Sequence, residues 1–264
     1  MQKRLRGLTK RQRRMVLGIN VLLVAGFGVW HFGVATLFVL ETRYVAWKAP
    51  VVKTAPTELA DVSISMASGQ KLTYGGYQFE VPWDVDAEKT KQIKETSVVI
   101  VFQSGNALWF SRMPAKEFVD HFLAGSKTDA DSLREFYGDE ALRSDYSLTN
   151  LILETTPQRI GLFSNRRQAA GGAMLLLTKA IMMPPGGETG IFRVRTGDFR
   201  GFQYGDPRRR PKSIDVEIFS DSGGLAFLFG QREKGSVPAI TQAEINRVIQ
   251  SVRKAPEQDL SASR

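Results

Sequence analysis

"SIDVEIFSDSGGLAFLFG", Ser213 to Gly230, is the stretch on which the fold turns. Ile214, Val216 and Ile218 alternate with Asp215 and Glu217, as a strand with one buried face requires, while "LAFLF" is apolar on both faces, as a covered central strand is. Between them stands "DSGG", residues 221–224, the four residues that also surround the nucleophile of many serine proteases. Ser222 would then need a general base and an oxyanion site. Apart from His31 the chain has only His121, in "FVDHF", and the adjacent Asp120 points about 100° away on a helix, so the two make no oriented pair. Asp, Ser and Gly are what a tight hairpin turn selects. The stretch reads as strand, turn, strand.

Upstream, "IFRVR" and "FRGFQYG" extend it into a meander through the connections "TGD" and "DPRRRPK". Earlier still, "DVSISM" and "KLTYGGYQFEVPW" read as a strand pair around "ASGQ", and "SVVIVF" and "ALWFSR" as a hairpin around "QSGN". Between the hairpins and the meander the period becomes helical. Pro114 opens a helix in "PAKEFVDHFLAG", Leu133, Phe136 and Tyr137 repeat the spacing, "SLTNLILETTP" adds further turns, and "SNRRQAAGGAMLLLTKAIMMPPGG" is a longer helix stopped at Pro184. Its apolar part, Ala173 to Met183, is too short to span a membrane and is interrupted by Lys179. Last, Thr241 and Glu244 form a capping box, Ile240 staples to Ile245, and Ile245, Val248, Ile249 and Val252 make one apolar face. The fold class expected is α+β: one α/β sandwich over residues 61–254 with a mainly antiparallel sheet, a helical insert and a C-terminal helix, then a disordered tail, 255–264.

The N-terminus is of another kind. Residues 1–14 hold seven Lys and Arg and no acid; the remaining 29 Lys and Arg face 27 Asp and Glu, so the formal charge of +9 describes a basic arm and gives no ground for nucleic-acid binding by the rest. Residues 15–40 contain no charge. As a helix that run is about 39 Å long, enough to cross a hydrocarbon core of about 30 Å and longer than the apolar part of a cleaved signal peptide. It reads as an uncleaved transmembrane signal anchor. The basic arm places the N-terminus in the cytoplasm and the C-terminal domain outside it, periplasmic or extracellular. Tyr44 and Trp47 follow as an interfacial aromatic belt, and residues 41–60, with Pro50 and Pro56, read as a juxtamembrane linker.

Chemistry is sparse. The absence of cysteine excludes disulfides, thiolate metal sites and thiol nucleophiles. The denser acidic groups, Asp129 with Asp131 and Asp139 with Glu140, sit near helix starts, where the helix dipole favours acids, so no metal or cofactor is expected. No phosphate-binding P-loop occurs. The one candidate binding element is Arg208, Arg209, Arg210 and Lys212 in "GDPRRRPKS", stiffened by Pro207 and Pro211, for an acidic partner surface or anionic lipid.

The order hairpin, hairpin, helical insert, meander, C-terminal helix resembles the PsbP-like family, extrinsic photosystem-subunit-like proteins with an α/β/α sandwich. "YQFEVPW" at Tyr77 to Trp83 is similar to that family's opening strand and "RVIQSVR" at Arg247 to Arg253 to its closing helix; the likeness runs over roughly residues 72–254. It implies a non-catalytic domain attached to a membrane complex and transfers no binding residue. The expected function is therefore a membrane-anchored extracytoplasmic binding or scaffold domain, an accessory subunit with membrane-protein partners. The alternatives are a module for an apolar ligand or lipid, with Ala173 to Met183 as one wall, and a hydrolase working with carboxylates alone.

Overall fold

The computed structural model describes residues 33–256, except 34–35, 38, 41, 61–62, 66–68, 127–133, 135–136, 161–165, 184–189 and 231–238. In chain order the strands are β1 (Thr57–Glu58), β2 (Gln70–Tyr74), β3 (Tyr77–Val81), β4 (Lys91–Lys94), β5 (Ser97–Val101), β6 (Ala107–Met113), β7 (Ile191–Thr196), β8 (Phe199–Tyr204), β9 (Ser213–Ser220), β10 (Gly223–Gly230) and β11 (Arg253–Lys254). The helices are α1 (Glu117–Ser126), α2 (Asp145–Glu154), α3 (Arg166–Met182) and α4 (Gln242–Gln250). Eight strands form one sheet in the order β1-β7-β8-β9-β10-β6-β5-β4, and β11-β3-β2 form a second. Every pairing is antiparallel except the short parallel one of β1 on β7.

The meander forms as its alternation dictates. β9 and β10 pair from Ser220↔Gly223 out to Ser213↔Gly230, leaving Asp221 and Ser222 as a two-residue loop. Ile214, Val216 and Ile218 enter a core with Phe79, Phe110, Phe227 and Phe229, closed on its far side by the small sheet and by Ile245, Val248 and Ile249 of α4. Gly201 lies where β8 and β9 come closest; a Cβ there would collide with the Glu217 carbonyl oxygen, so glycine is required. The capping box of α4 is present: Thr241 Oγ1 accepts from the Glu244 amide, and the Thr241 amide donates to Glu244 Oε2 at 2.7 Å. On the other face of the large sheet α2 and α3 pack over Phe202, Tyr204 and Phe219, and α1 closes a third cluster with α2 and α3 through Val119, Phe122, Leu148, Ile152 and Leu175.

Four features differ from the sequence reading. "KLTYGGYQFEV", read as one strand, is itself a hairpin turning at Gly75–Gly76: both glycines have positive φ, 57° and 80°, which a two-residue turn with the twist of its strands demands, and "ASGQ" lies partly outside the described residues. Helix α1 starts at Glu117, three residues after Pro114, because Asp145 of α2 reaches across to accept from the Val119 amide at 3.0 Å and so caps it from outside. Arg253 and Lys254 continue past α4 as a strand on β3. The stretch 41–60, read as a linker, is structured: residues 42–48 are helical, Pro50–Lys53 form a 3-10 turn, and β1 follows. Its Val51 and Val52 are buried in the core with Leu176, Met183 and Ile191. The expected tail lies mostly outside the described residues, as do His31, Asp129 and Asp131.

One side chain holds this arrangement. Lys179 of α3 is fully buried, and its Nζ donates to three carbonyl oxygens: Thr54 at 2.7 Å, Leu153 at 2.6 Å and Thr155 at 3.0 Å. Burial pulls its pKa down to about 8, opposed by the nearby Glu154 carboxylate, so the ammonium persists at neutral pH. Lys179→Met would fill the volume and leave three carbonyls without their donor. A loss of about 2–5 kcal/mol in the unfolding free energy is expected, measured by urea denaturation of the full chain.

Candidate functional site

Ser222 lies in the loop of the β9–β10 hairpin. Its Oγ is 3.0 Å from Ser220 Oγ and 3.3 Å from the Tyr77 hydroxyl. Gly223 takes φ 130°, and a Cβ there would strike the Met113 carbonyl oxygen, so the glycine after Ser222 is set by the approach of β6. His121 is exposed on α1, its Nδ1 3.0 Å from the Glu117 carbonyl oxygen of its own helix. "DSGG" is a turn, and the two residues that a triad would need are held by separate local structures.

The four predicted binding cations sit on the β8–β9 connection. Pro207–Arg209 form a 3-10 turn capped by Asp206, whose carboxylate takes the Arg208 guanidinium on both oxygens, Nε at 3.0 Å and Nη2 at 3.0 Å. That fork, with Arg209 behind it, holds the Asp206 carboxyl below its usual range. Arg210 follows in the left-handed conformation, φ 48°, and Arg208, Arg209, Arg210 and Lys212 are all exposed. Pro207 is buried and fixes the loop to the sheet. The loop is thus an ordered basic corner.

Topology brings three features to the same end of the sheet. Gly205, where the basic loop begins, donates its amide to the Gly190 carbonyl at the start of β7. β1 runs parallel to β7, Thr57 opposite Phe192, so residues 42–56 also arrive at that end. Met183, just past α3, is buried in one cluster with Ile191, Tyr204 and Val39. Around the helical segment Val39, Thr42 and Ala46 are buried, whereas Leu37, Leu40, Tyr44 and Trp47 are 65%, 53%, 59% and 68% exposed. At helical spacing these two sets of described residues fall on opposite sides. Tyr44 and Trp47 lie 6.0 Å apart by ring centroid, and Lys48 Nζ stands 4.5 Å over the Trp47 ring.

Sequence reasoning missed two polar clusters. Asp215 and Glu217, read from the alternation as a polar outer face, lie on the side where α2 packs on β9. The Tyr204 hydroxyl donates to Glu217 Oε2 at 3.2 Å, and the buried Asp215 Oδ1 has no hydrogen-bond partner. Burial raises the Asp215 pKa to about 6; burial, and then the Asp215 charge, raise that of Glu217 to about 7. The signal available was Tyr204, which the strand register sets beside Asp215. In the second cluster the amides of Gln203 and Gln242 exchange hydrogen bonds at 2.7 and 2.9 Å, and Gln242 also donates to Asn246, whose own amide donates to the Ser63 carbonyl. Beside it a cleft of about 170 Å³ between α4 and β7 is lined by Glu58, Arg193, Arg195 and Asn246. Arg193 is committed to Glu154, Glu58 and the Pro56 carbonyl, and the cleft is below the ~300 Å³ at which small-molecule sites begin.

Among the described residues no three His, Asp or Glu gather as metal ligands, and no helix is long and apolar enough to cross a membrane; most of the 15–40 run lies outside those residues. On α3, Ala173, Leu175 and Leu176 are buried in the protein's own core, whereas Leu177 and Ile181 face outward. No family model matches the chain, and neither the curated proteins nor the solved structures contain a match to it.

The carboxyl pair makes stability depend on pH. Both groups have folded pKa values above their unfolded ones, so their contribution is complete below about pH 4 and is lost as pH rises through 6 to 7, when burial must accommodate charge. Unfolding midpoints in urea should fall between pH 5 and pH 8. The Asp215→Asn, Glu217→Gln double variant should flatten most of that slope.

Proposed function

We propose that this chain is a single-pass membrane protein, N-terminus in the cytoplasm, whose residues 15–40 cross the bilayer and whose α/β domain works outside the cytoplasm as a non-catalytic binding or scaffold domain, an accessory subunit of a membrane protein complex. One observation carries the reading. The helical segment up to residue 48, continuous with a 26-residue uncharged run, has one side buried in the domain and its Leu37, Leu40, Tyr44 and Trp47 side bare. An apolar and aromatic stripe of that kind is costly in water and suits the boundary of a bilayer. The seven cations of the basic arm support the orientation.

The PsbP-like likeness belongs to the same proposal. Its two segments, Tyr77 to Trp83 and Arg247 to Arg253, cover β3 and the end of α4 with the start of β11, and they share one core through Phe79, Val81, Val248 and Ile249. In this reading the likeness stands for an extrinsic domain that attaches to a complex, and partner contact is the domain's work. The exposed corner Arg208, Arg209, Arg210 and Lys212 is the proposed contact for acidic headgroups or an acidic partner surface.

Gentle-detergent extraction of the full chain from its native membrane, followed by native-gel sizing and mass spectrometry, tests the subunit. A stoichiometric membrane complex is expected; a reproducible lone monomer or homodimer would refute it. Replacing Arg208, Arg209 and Arg210 by Ser should weaken binding to partner or anionic vesicles by roughly tenfold at low salt, the effect shrinking as salt rises. Unchanged binding at low salt would remove the loop from the interface.

A further inference from the structure

The anchor and the domain share residues. Val39 lies inside the uncharged run, which ends at Leu40, yet it is fully buried in the domain's core with Met183, Ile191 and Tyr204. A helix needs about 20 residues to cross the hydrocarbon core, so a span of 26 leaves at most a turn or two between the bilayer and residue 39. In the anchored reading that length leaves no room for a free tether. The side of the domain that holds Val39, which is α3, would then lie at the membrane surface.

On α3 two large apolar residues one turn apart face outward: Leu177, 43% exposed, and Ile181, 84% exposed. Both lie in the last two turns, next to Met183 and to Lys179, whose ammonium grips the Thr54 carbonyl of the entering chain. A bare isoleucine there is poorly suited to water. Arg43, Lys48 and Lys53 flank the same entry, and the basic loop stands at the same end of the sheet, so the charge around this face suits an anionic headgroup layer.

We propose that the domain sits directly on the outer leaflet, with Leu177 and Ile181 of α3 inserted at the boundary of headgroups and acyl chains beside Leu37, Leu40, Tyr44 and Trp47. This rests on the anchored reading and adds a fixed second contact, made by the lipid bilayer itself. The seat fixes the domain's tilt, which a tether would leave free.

The chain has no cysteine, so single-site labelling is direct. Ile181→Cys, Leu37→Cys and, as a distant exposed control on β4, Lys94→Cys in the full chain would each carry an environment-sensitive fluorophore. They would be reconstituted in phosphatidylcholine–phosphatidylglycerol vesicles with and without lipids bearing a shallow nitroxide. Expected is a blue-shifted Ile181 probe that loses about half its emission to the nitroxide, at the depth of an interfacial helix about 5–10 Å into the boundary, with Lys94 unchanged. A quenched Leu37 probe with an unquenched, water-exposed Ile181 probe overturns the seat and leaves the anchor standing. Failure of the chain to float with vesicles overturns both. A blue-shifted but unquenched Ile181 probe would mean that a second copy of the chain covers α3, and would also overturn the lipid seat.

Discussion

The structure depends on a lysine that gives its three protons to three carbonyls. At the end of α2 the Thr155 amide serves the Leu151 and Ile152 carbonyls, which leaves those of Leu153 and Thr155 to another donor, and residues 54–56 lead into an edge strand only two residues long. Lys179 answers both from α3 with one ammonium. Its charge also suits the negative end of the α2 dipole, and Glu154 at that end helps to keep it protonated. Without this clasp α3 would lose its tie to the entering chain. The Val39, Val51 and Val52 side chains would lose the surface that buries them, and with them would go the seat of the entering segment on the domain.

Six strands of the large sheet, β5 to β10, were legible because apolar runs or alternation mark them and their hairpin turns are spelled in Gly, Asp, Ser and Asn, whereas β1 and β4 carried no such signal. "SIDVEIFSDSGGLAFLFG" and "SVVIVF…ALWFSR" fold as read, and the capping box at Thr241 and Glu244 fixes the start of α4. Three of the failures share a cause. Each lay where a long-range contact overrides a local signal: the remote Asp145 carboxylate that moves the start of α1, the core that captures Val51 and Val52 from a proline-spaced stretch that looked like linker, and the helix that covers Asp215 and Glu217. Alternation states that one face differs from the other. It does not say which of the two meets water.

Lys179 shows the same limit in reverse. As a sequence feature it spoke against a second span, because one charge breaks an apolar run. Its surroundings add that a lone lysine amid "AMLLLTKAIMM" is costly to bury unless every proton finds an acceptor, so it marks a place where backbone carbonyls converge. The candidate site was legible in its parts, the basic loop and the aromatic pair, through composition alone. Their common location was not, since it follows from a parallel pairing of two residues and from the chain's return at Gly190 and Gly205.

That common location changes what the basic corner can do. A loop on a domain joined by a flexible linker samples many directions, and its charges act mainly by raising the encounter rate with any acidic surface. Here Pro207 is buried in the domain and Asp206 grips Arg208, while Val39 and Lys179 hold residue 39 and the chain at Thr54 to the same domain. In the proposed anchored arrangement the cations are then held at one height and one heading relative to the helical residues 42–48. An acidic partner surface at that height meets them without the entropic cost of ordering a tether, and one at another height cannot meet them at all. Rigidity between anchor and domain would thus supply selectivity to a surface whose chemistry, four exposed cations, supplies little by itself.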